Sequence, residues 1–495
     1  MDKLTGFDIV AAFSENTING QLVLLTNQKK IHPPEKPIEM RGFFSATLDI
    51  KKIGYPQVIF NPENPSYKDL ILVLEFKKGT FTAGSYTCSI NGWKFAFQTN
   101  MSLADIPFSH ISENPHTTKE AAKSIQQKAQ SLIGKKVVDI DKIFDIQYLF
   151  MNFEDANLAQ YNKKHSSFHF KDLKDTSTGK IITDQSVKES MKTQFASLLT
   201  QWLDTKKGSK NPWILGYALN PKSKIDVPES DLPTFYPTNA TFSTFPANKG
   251  LGTLNWLFVT NSKGKLPTDK RAGIFEKPWL TDNKTQGIMA LDRQLVVRKH
   301  MLSPLADSFN LTVKDFKDHG TYFEIKNAAV EHLKDRGDKE YSKLNGGKVS
   351  MKVQHKAGGN EVTVDYTYIK SQEVKLGALE LAKYTLTATW SMTFFFRIDA
   401  HGKISTTHKV SEIQKSVDAK KEWWQYLLDF LPGVSIAEMA ITIGTLNQFP
   451  NVDQGVWNVA DNKLTLILPG GEIFAFKDAK FDKEGNLLTT LAYSS

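Results

Sequence analysis

From position 382 to 399 apolar and polar residues alternate along the chain. Tyr384, Leu386, Ala388, Trp390, Met392, Phe394, Phe396 and Ile398 share one parity. Lys383, Thr385, Thr387, Thr389, Ser391, Thr393, Phe395, Arg397 and Asp399 share the other. Side chains of a strand alternate between its two faces, so this reads as one strand with an oily face and a threonine-rich face. At ~3.3 Å per residue it runs roughly 50 Å, against roughly 17–20 Å for an ordinary strand. A strand of that length belongs to an extended antiparallel sheet. Its oily face requires a long helix, a second sheet or a lipid against it.

The chain has 495 residues, more than one ordinary core holds, so two to four domains or one elongated assembly are expected. With 40% hydrophobic and 11% aromatic residues the bulk of it folds. Cys88 is the only cysteine, which excludes an intramolecular disulfide and fits folding in a reducing compartment. The first ten residues lack the basic and then apolar build of a secretory signal, and no run of eighteen apolar residues occurs. Cytoplasmic synthesis is therefore expected, with any release by a route independent of a signal peptide. The sequons at Asn100, Asn239, Asn283 and Asn310 then read as chance matches.

The net charge is +9, and lysine carries it: only six of the 62 basic residues are arginine. Readers of phosphates and bases lean on the arginine fork, so nucleic acid is not an expected partner. Lys-Lys pairs are scattered along the chain, as on solvated faces, with an attraction to an anionic membrane surface as the secondary reading.

The N-terminal third is β-rich. Residues 46–52 alternate, and residues 70–76 are apolar apart from Glu75. Residues 81–90 and 93–99 flank Asn91-Gly92, which predicts a hairpin with a type I′ turn. That register faces Ile90 with Trp93, Cys88 with Phe95 and Tyr86 with Phe97, and makes Cys88 a packed core thiol. Three capping boxes predict helices: Thr117 with Glu120, Ser186 with Glu189, and Ser435 with Glu438. The second carries Val187, Met191, Phe195, Leu198, Leu199, Trp202 and Leu203 on one stripe. Residues 287–316 predict a fourth helix, kinked at Pro304, and a further amphipathic run holds Trp423 and Trp424. The C-terminus reads as a meander, with Pro469-Gly470-Gly471 and Glu484-Gly485-Asn486 as turns. Residues 203–215 and 334–352 are the boundary candidates.

Catalytic signatures are missing. There is no phosphate-binding Gly-x-x-x-x-Gly-Lys loop, no Gly-x-Ser-x-Gly elbow, no His-Glu-x-x-His helix and no Gly-x-Gly-x-x-Gly run. His165 and His169 stand four apart in strand-like surroundings, where that spacing separates them by ~13 Å, so they read as surface histidines. Asp139 and Asp141 read as a solvated turn, and residues 315–320 miss the calcium-loop pattern. No enzyme, metal or cofactor is expected, although groups from distant segments can converge in space.

Several segments taken in order carry a resemblance. They are residues 6–10 (Gly-Phe-Asp-Ile-Val), 17–21 (Thr-Ile-Asn-Gly-Gln), 211–217 (Asn-Pro-Trp-Ile-Leu-Gly-Tyr) and 232–238 (Leu-Pro-Thr-Phe-Tyr-Pro-Thr). With them go residues 251–257 (Leu-Gly-Thr-Leu-Asn-Trp-Leu), 287–291 (Gly-Ile-Met-Ala-Leu) and 469–474 (Pro-Gly-Gly-Glu-Ile-Phe). Together they resemble the OrfX-type accessory proteins of clostridial neurotoxin and related insecticidal gene clusters, a family with a forty-seven-kilodalton member. The resemblance spans residues 6 to 487, with nothing to match from 314 to 377. It implies a TULIP-like α+β fold, in which long, highly curved antiparallel sheets wrap long amphipathic helices. It further implies two such halves, 1–210 and 211–495, with intertwining of the two as an option.

The family implies lipid binding, with anionic lipids or phosphoinositides as ligands, and sister accessory proteins or a toxin as partners. A helix laid in a curved sheet either closes a core or leaves an apolar slot, and each methylene buried there contributes ~0.8 kcal/mol. The candidates to line a slot are Phe195, Leu199 and Trp202 on the second helix, with Trp390, Met392 and Phe394 on the long strand; ordinary core is the competing reading. The functional expectation is thus a non-enzymatic lipid- or membrane-surface-binding accessory protein of a bacterial toxin system. Its alternative is a protein-docking subunit of a toxin complex with closed grooves.

Overall fold

The computed structural model describes residues 4–42, 45–60, 68–107, 110, 144–153, 158, 161–167, 173–205, 213–221, 237–246, 251–260, 265–308, 311–330, 346–376, 379–398, 404–412, 414–419 and 474–493. In chain order the elements are β1 (Ile9–Ser14), α1 (Glu15–Asn27), β2 (Ile38–Met40), β3 (Ala46–Ile53), β4 (Gln57–Phe60), β5 (Asp69–Ala83), β6 (Tyr86–Ser89), β7 (Trp93–Pro107), β8 (Phe144–Asn152), α2 (Gln185–Asp204), β9 (Ile214–Pro221), β10 (Pro237–Phe245), β11 (Thr253–Thr260) and β12 (Gly287–Leu291). A helix α3 follows, π-wound over Gln294–Met301 and α-wound over Leu302–Ser308. Then come β13 (Lys317–Asp318), β14 (Tyr322–Val330), β15 (Gly347–His355), β16 (Glu361–Leu376), β17 (Leu379–Ile398), β18 (Ile404–Val410), β19 (Gln414–Ala419), β20 (Phe474–Phe481) and β21 (Leu487–Tyr493).

The strands form three antiparallel sheets. An eight-stranded sheet runs β2-β3-β5-β7-β8-β9, with β4 and β6 also on β5. A seven-stranded sheet runs β13 to β18 in sequence order, with β19 also on β17. A six-stranded sheet runs β10-β11-β1-β12-β21-β20, so its strands come from both ends of the chain and from its middle.

The long alternating strand is present as β17, twenty residues paired along its length with β16. Ala388, Trp390, Met392, Phe394 and Phe396 are buried, while Thr387, Thr389, Ser391 and Thr393 between them are half-buried. In the six-stranded sheet the alternation disappears because both faces are covered: β1 and β11 are buried at every position. Ile9, Ala11 and Phe13 join the main core with α1, whereas Val10 and Ala12 join a second core under residues 265–280.

Several elements differ from the sequence expectation. The fold is α+β and mainly antiparallel, but among the described residues only α2 is a long helix; the helices expected after Thr117, at Trp423 and after Ser435 lie outside the described residues. Residues 287–291 form a strand, not the start of a helix, because β12 fills the gap between β1 and β21. The helix behind it changes from π to α winding at Leu302, two residues before Pro304, whose missing N–H takes one hydrogen bond out of the helical ladder. Asn91-Gly92 closes no hairpin. The hairpin turn is at Gly84, pairing Phe81 with Cys88 and Ala83 with Tyr86. Asn91-Gly92 is instead a corner, where the chain steps from β6 to β7 along the same edge of β5. The Gly92 N–H donates to the Phe76 carbonyl (2.7 Å), and Asn91 Oδ1 accepts from the Gly79 N–H (2.9 Å). Gly92 still uses its positive φ of 76° there. Cys88 is buried as expected, and burial, with Asp175 beside it, pushes its thiol up to about 11.

The cap of α2 is Asp184, not Ser186. Its carboxylate accepts from the Ser186 and Val187 N–H groups (2.8 and 3.4 Å) and from Ser186 Oγ (2.7 Å). An ionised oxygen is the stronger acceptor, so the aspartate outcompetes the hydroxyl. The Ser186 hydroxyl bond and the two N–H bonds hold the Asp184 carboxyl below its usual range. His165 stands in a turn over residues 163–165 rather than in a strand, and His169 lies outside the described residues.

Candidate functional site

The residues predicted to line a slot on α2 pack against rings of the eight-stranded sheet. Phe195 and Leu199 are fully buried, and Trp202 is nearly so. Around Phe195 stand Phe76, Phe81, Trp93 and Phe95 of the eight-stranded sheet, at centroid distances of 5.9, 5.4, 5.6 and 5.6 Å. The predicted strand residues are in the same condition elsewhere. Trp390 stacks on Tyr366 at 4.8 Å with planes 3° apart, and Met392 and Phe394 are buried beside it. All six residues belong to one continuous apolar core. None of them lines the open space described next.

That space is a cleft of about 700 Å³ on the outer face of the six-stranded sheet, within the usual ligand-site range of roughly 300–1,000 Å³. Residues 265–280 build it without regular structure. Prolines 267 and 278 stiffen the segment, and Asp269 starts a turn by accepting from the Arg271 N–H (2.8 Å). The Gly273 N–H donates to Thr5 Oγ1 (2.8 Å), which ties the segment to the stretch before β1. Phe275 and Trp279 meet edge to face at 5.1 Å and pack into the second core with Phe7 and Val10. Ile274 stands 40% exposed at the lip, one of the few large apolar side chains so exposed among the described residues. The opposite wall is the turn between β20 and β21, through Asp482, Lys483 and Glu484. Arg271, Glu276 and Lys277 complete a rim of mixed charge.

An apolar floor under a charged lip can hold an aliphatic chain below and a polar head above. Asp482 is committed to its own turn, accepting from the N–H groups of Glu484 (3.0 Å) and Asn486 (2.8 Å). A second, smaller cavity of about 420 Å³ lies where α3 begins, between Gln294, Arg298, Lys299, Ser303 and Lys314, with Asp8 beneath. Asp8 is buried and accepts from the Thr260 N–H and Oγ1 (2.7 and 2.9 Å). Among the described residues no group of three His, Cys, Asp or Glu side chains is placed to hold a metal ion, and no helix is long and apolar enough to cross a membrane.

Sequence reasoning passed over the cleft because residues 265–280 have neither helical nor strand periodicity. The readable signal was Phe275 and Trp279 among prolines and glycine, a composition that packs aromatic side chains from a loop.

No protein-family model and no curated protein matches the sequence. Among solved structures, P47 from Clostridium botulinum A2 aligns over 99% of this chain and 98% of its own at 12% identity and a TM-score of 0.49. P47 of Clostridium botulinum E1 aligns over 98% of both chains at 13% identity and a TM-score of 0.48. A lipopolysaccharide binding protein aligns over 99% of both chains at 8% identity and a TM-score of 0.32. Likenesses this distant carry no argument about what the chain binds. Among the solved structures that this chain resembles from end to end are P47, from the OrfX-type group to which its motifs are similar, and a lipopolysaccharide binding protein.

Proposed function

We propose that the protein is a non-enzymatic accessory protein of a bacterial toxin system that binds a lipid or a membrane surface through the cleft over the six-stranded sheet. The carrying observation is the open apolar floor of Phe275 and Trp279 beneath Ile274 and a charged rim. Burying an aliphatic chain there contributes ~0.8 kcal/mol per methylene. The sequence resemblance supplies the toxin-accessory part of the reading. Flotation of the purified protein with vesicles of phosphatidylcholine, alone or mixed with phosphatidylglycerol or a phosphoinositide, tests it. The wild type is expected to rise with at least one composition, and Ile274→Asp is expected to weaken that binding by placing a charge at the lip. No flotation with any composition, together with no co-purifying lipid by mass spectrometry, would sink the proposal. Turnover abolished by a single polar substitution would overturn its non-enzymatic half.

A second reading has its own support. The packing of Phe76, Phe81, Trp93 and Phe95 around Phe195 supports a subunit with closed grooves that works by docking sister proteins or a toxin. Failed flotation with a stable complex between the protein and a co-expressed toxin would favour it.

A further inference from the structure

The turn between β20 and β21 forms one wall of the cleft and also joins two sheets. Phe481 at its start belongs to the six-stranded sheet, yet it reaches the β15–β16 turn of the seven-stranded sheet. Its N–H donates to the Gly359 carbonyl (2.7 Å), and its carbonyl accepts from the Gly358 N–H (2.8 Å). Its ring meets Phe396 edge to face at 5.2 Å and lies 6.0 Å from the His355 ring. His355 ends β15, is 8% exposed, and places Nε2 3.3 Å from the Lys483 carbonyl. Gly485 has φ +88°, and a Cβ there would stand 2.7 Å from Arg293 Cδ and 2.8 Å from His355 Cε1. The turn is thus seated tightly on both side chains. Arg293 in turn donates its backbone N–H to Asn486 Oδ1 (3.1 Å).

Of the charges around His355, the Arg293 guanidinium opposes an imidazolium, whereas the Asp482 and Glu484 carboxylates favour one. From α3 comes the Arg293 guanidinium; from the turn come Asp482, Lys483 and Glu484. Along its own turn lies the Lys356–Glu361 ion pair, and Asp318 of β13 sits behind Arg293. Of the carboxylates, Asp482 is engaged by its own turn and Asp318 by Arg293 and Gln294. A proton on His355 would bring a positive charge beside the Arg293 guanidinium onto a ring that is largely buried.

We propose that this turn is a latch released when His355 is protonated, and that its release shifts the wall of the apolar cleft. The latch stands on the joint alone; its effect on the cleft rests on the ligand-binding reading above. Burial first, and then Arg293, hold His355 below its ordinary value of 6.5, against the opposing pull of the Lys483 carbonyl and the Asp482 and Glu484 carboxylates. A depressed group gives stability that is whole above its unfolded value and is lost as pH falls below it, so the joint loosens on acidification from about pH 6.5 downward.

Hydrogen exchange of the full chain at about pH 7.5 and about pH 5, corrected for intrinsic rates, reads the joint at the N–H groups of Phe481, Gly358 and Arg293. Wild type is expected to lose protection there severalfold at the lower pH, and His355→Gln is expected to hold it constant. Gly485→Ala, which forces the turn off its seat at any pH, is expected to show the acid pattern at the higher pH and covers the case in which His355→Gln does not fold. Constant protection in wild type, or an equal loss in His355→Gln, overturns the latch. A lysophosphatidylcholine with a fluorescent acyl chain, whose charge does not change over this range, reads the cleft in the same samples. Its affinity is expected to shift severalfold with pH in wild type and not in His355→Gln. If it binds at neither pH while protection still changes, the latch holds and the ligand reading fails.

Discussion

At Trp390 the indole lies flat against Tyr366 and is nearly buried, while Thr389 beside it faces the other side of the sheet and is half-buried. Trp390→Asp places an unpaired charge in a packed core and should destabilise by several kcal/mol, roughly 4 or more, whereas Thr389→Asp should cost about 1 kcal/mol. Chemical denaturation of the two variants checks this, and equal midpoints would contradict the face assignment. Parity in the sequence was enough to place these two residues on opposite sides. It could not show that the oily side is covered by protein rather than lipid, because burial against Tyr366 and burial against an acyl chain select the same residue types. For the same reason Phe195, Leu199 and Trp202 were legible as apolar and inward, but not as ringed by Phe76, Phe81, Trp93 and Phe95. Those partners are fixed by strand pairings that no local pattern encodes.

Elements were legible where one period runs unbroken. The helix expected behind Ser186 appears as Gln185–Asp204, but its cap was misread by two residues because Asp184 stands next in line with a better acceptor. Asp184→Ala should lower the melting temperature and Ser186→Ala should lower it clearly less, measured by thermal denaturation; the reverse order would return the cap to the serine. The corner at Asn91-Gly92 shows the opposite failure. Its dipeptide is a strong hairpin signal, yet β5 is fifteen residues long and accepts β6 and β7 end to end, so the positive φ serves a step along an edge. Gly79 sits opposite that corner, where a Cβ would stand 2.5 Å from the Asp49 carbonyl and 2.9 Å from Ile90 Cδ1. Gly79→Ala should therefore cost about 1–3 kcal/mol by overpacking, read from the same melts, and a neutral result would mean that the corner is loose. In residues 287–291 five apolar residues fit a strand and a helix equally well, and only the vacancy between β1 and β21 decides.

At the scale of the molecule, sheet order was invisible in the sequence. The six-stranded sheet assembles β1, the strands between 237 and 291, and the last two strands, so its register depends on pairings far apart in the chain, such as Ile9 with Leu291 and Gly287 with Leu491. What links it to the seven-stranded sheet is polar as well as apolar. Arg293 Nη2 donates to Asp318 Oδ1 at 2.7 Å, and the guanidinium lies 4.0 Å from the Phe323 ring centroid. Burial alone would raise the Asp318 carboxyl, but the bonds from Arg293, Gly320 and Gln294 outweigh it and hold the carboxyl below its usual value of 3.8. Such a carboxylate gives stability that is whole above 3.8 and is lost as pH falls below it. Arg293→Met keeps the stem against Phe323 and removes the fork. Asp318 is 27% exposed and retains Gln294 and Gly320, so the cost should fall short of a fully buried pair, at about 1–3 kcal/mol at neutral pH. Because the variant loses the bond that depresses Asp318, its stability should also fall less steeply than wild type between about pH 4.5 and pH 3. Melting temperatures across that range, with Asp318→Asn as the partner in a double-mutant cycle, measure both effects. An unchanged acid limb in Arg293→Met would show that the joint between the sheets is held by Phe481 and its backbone pairing alone.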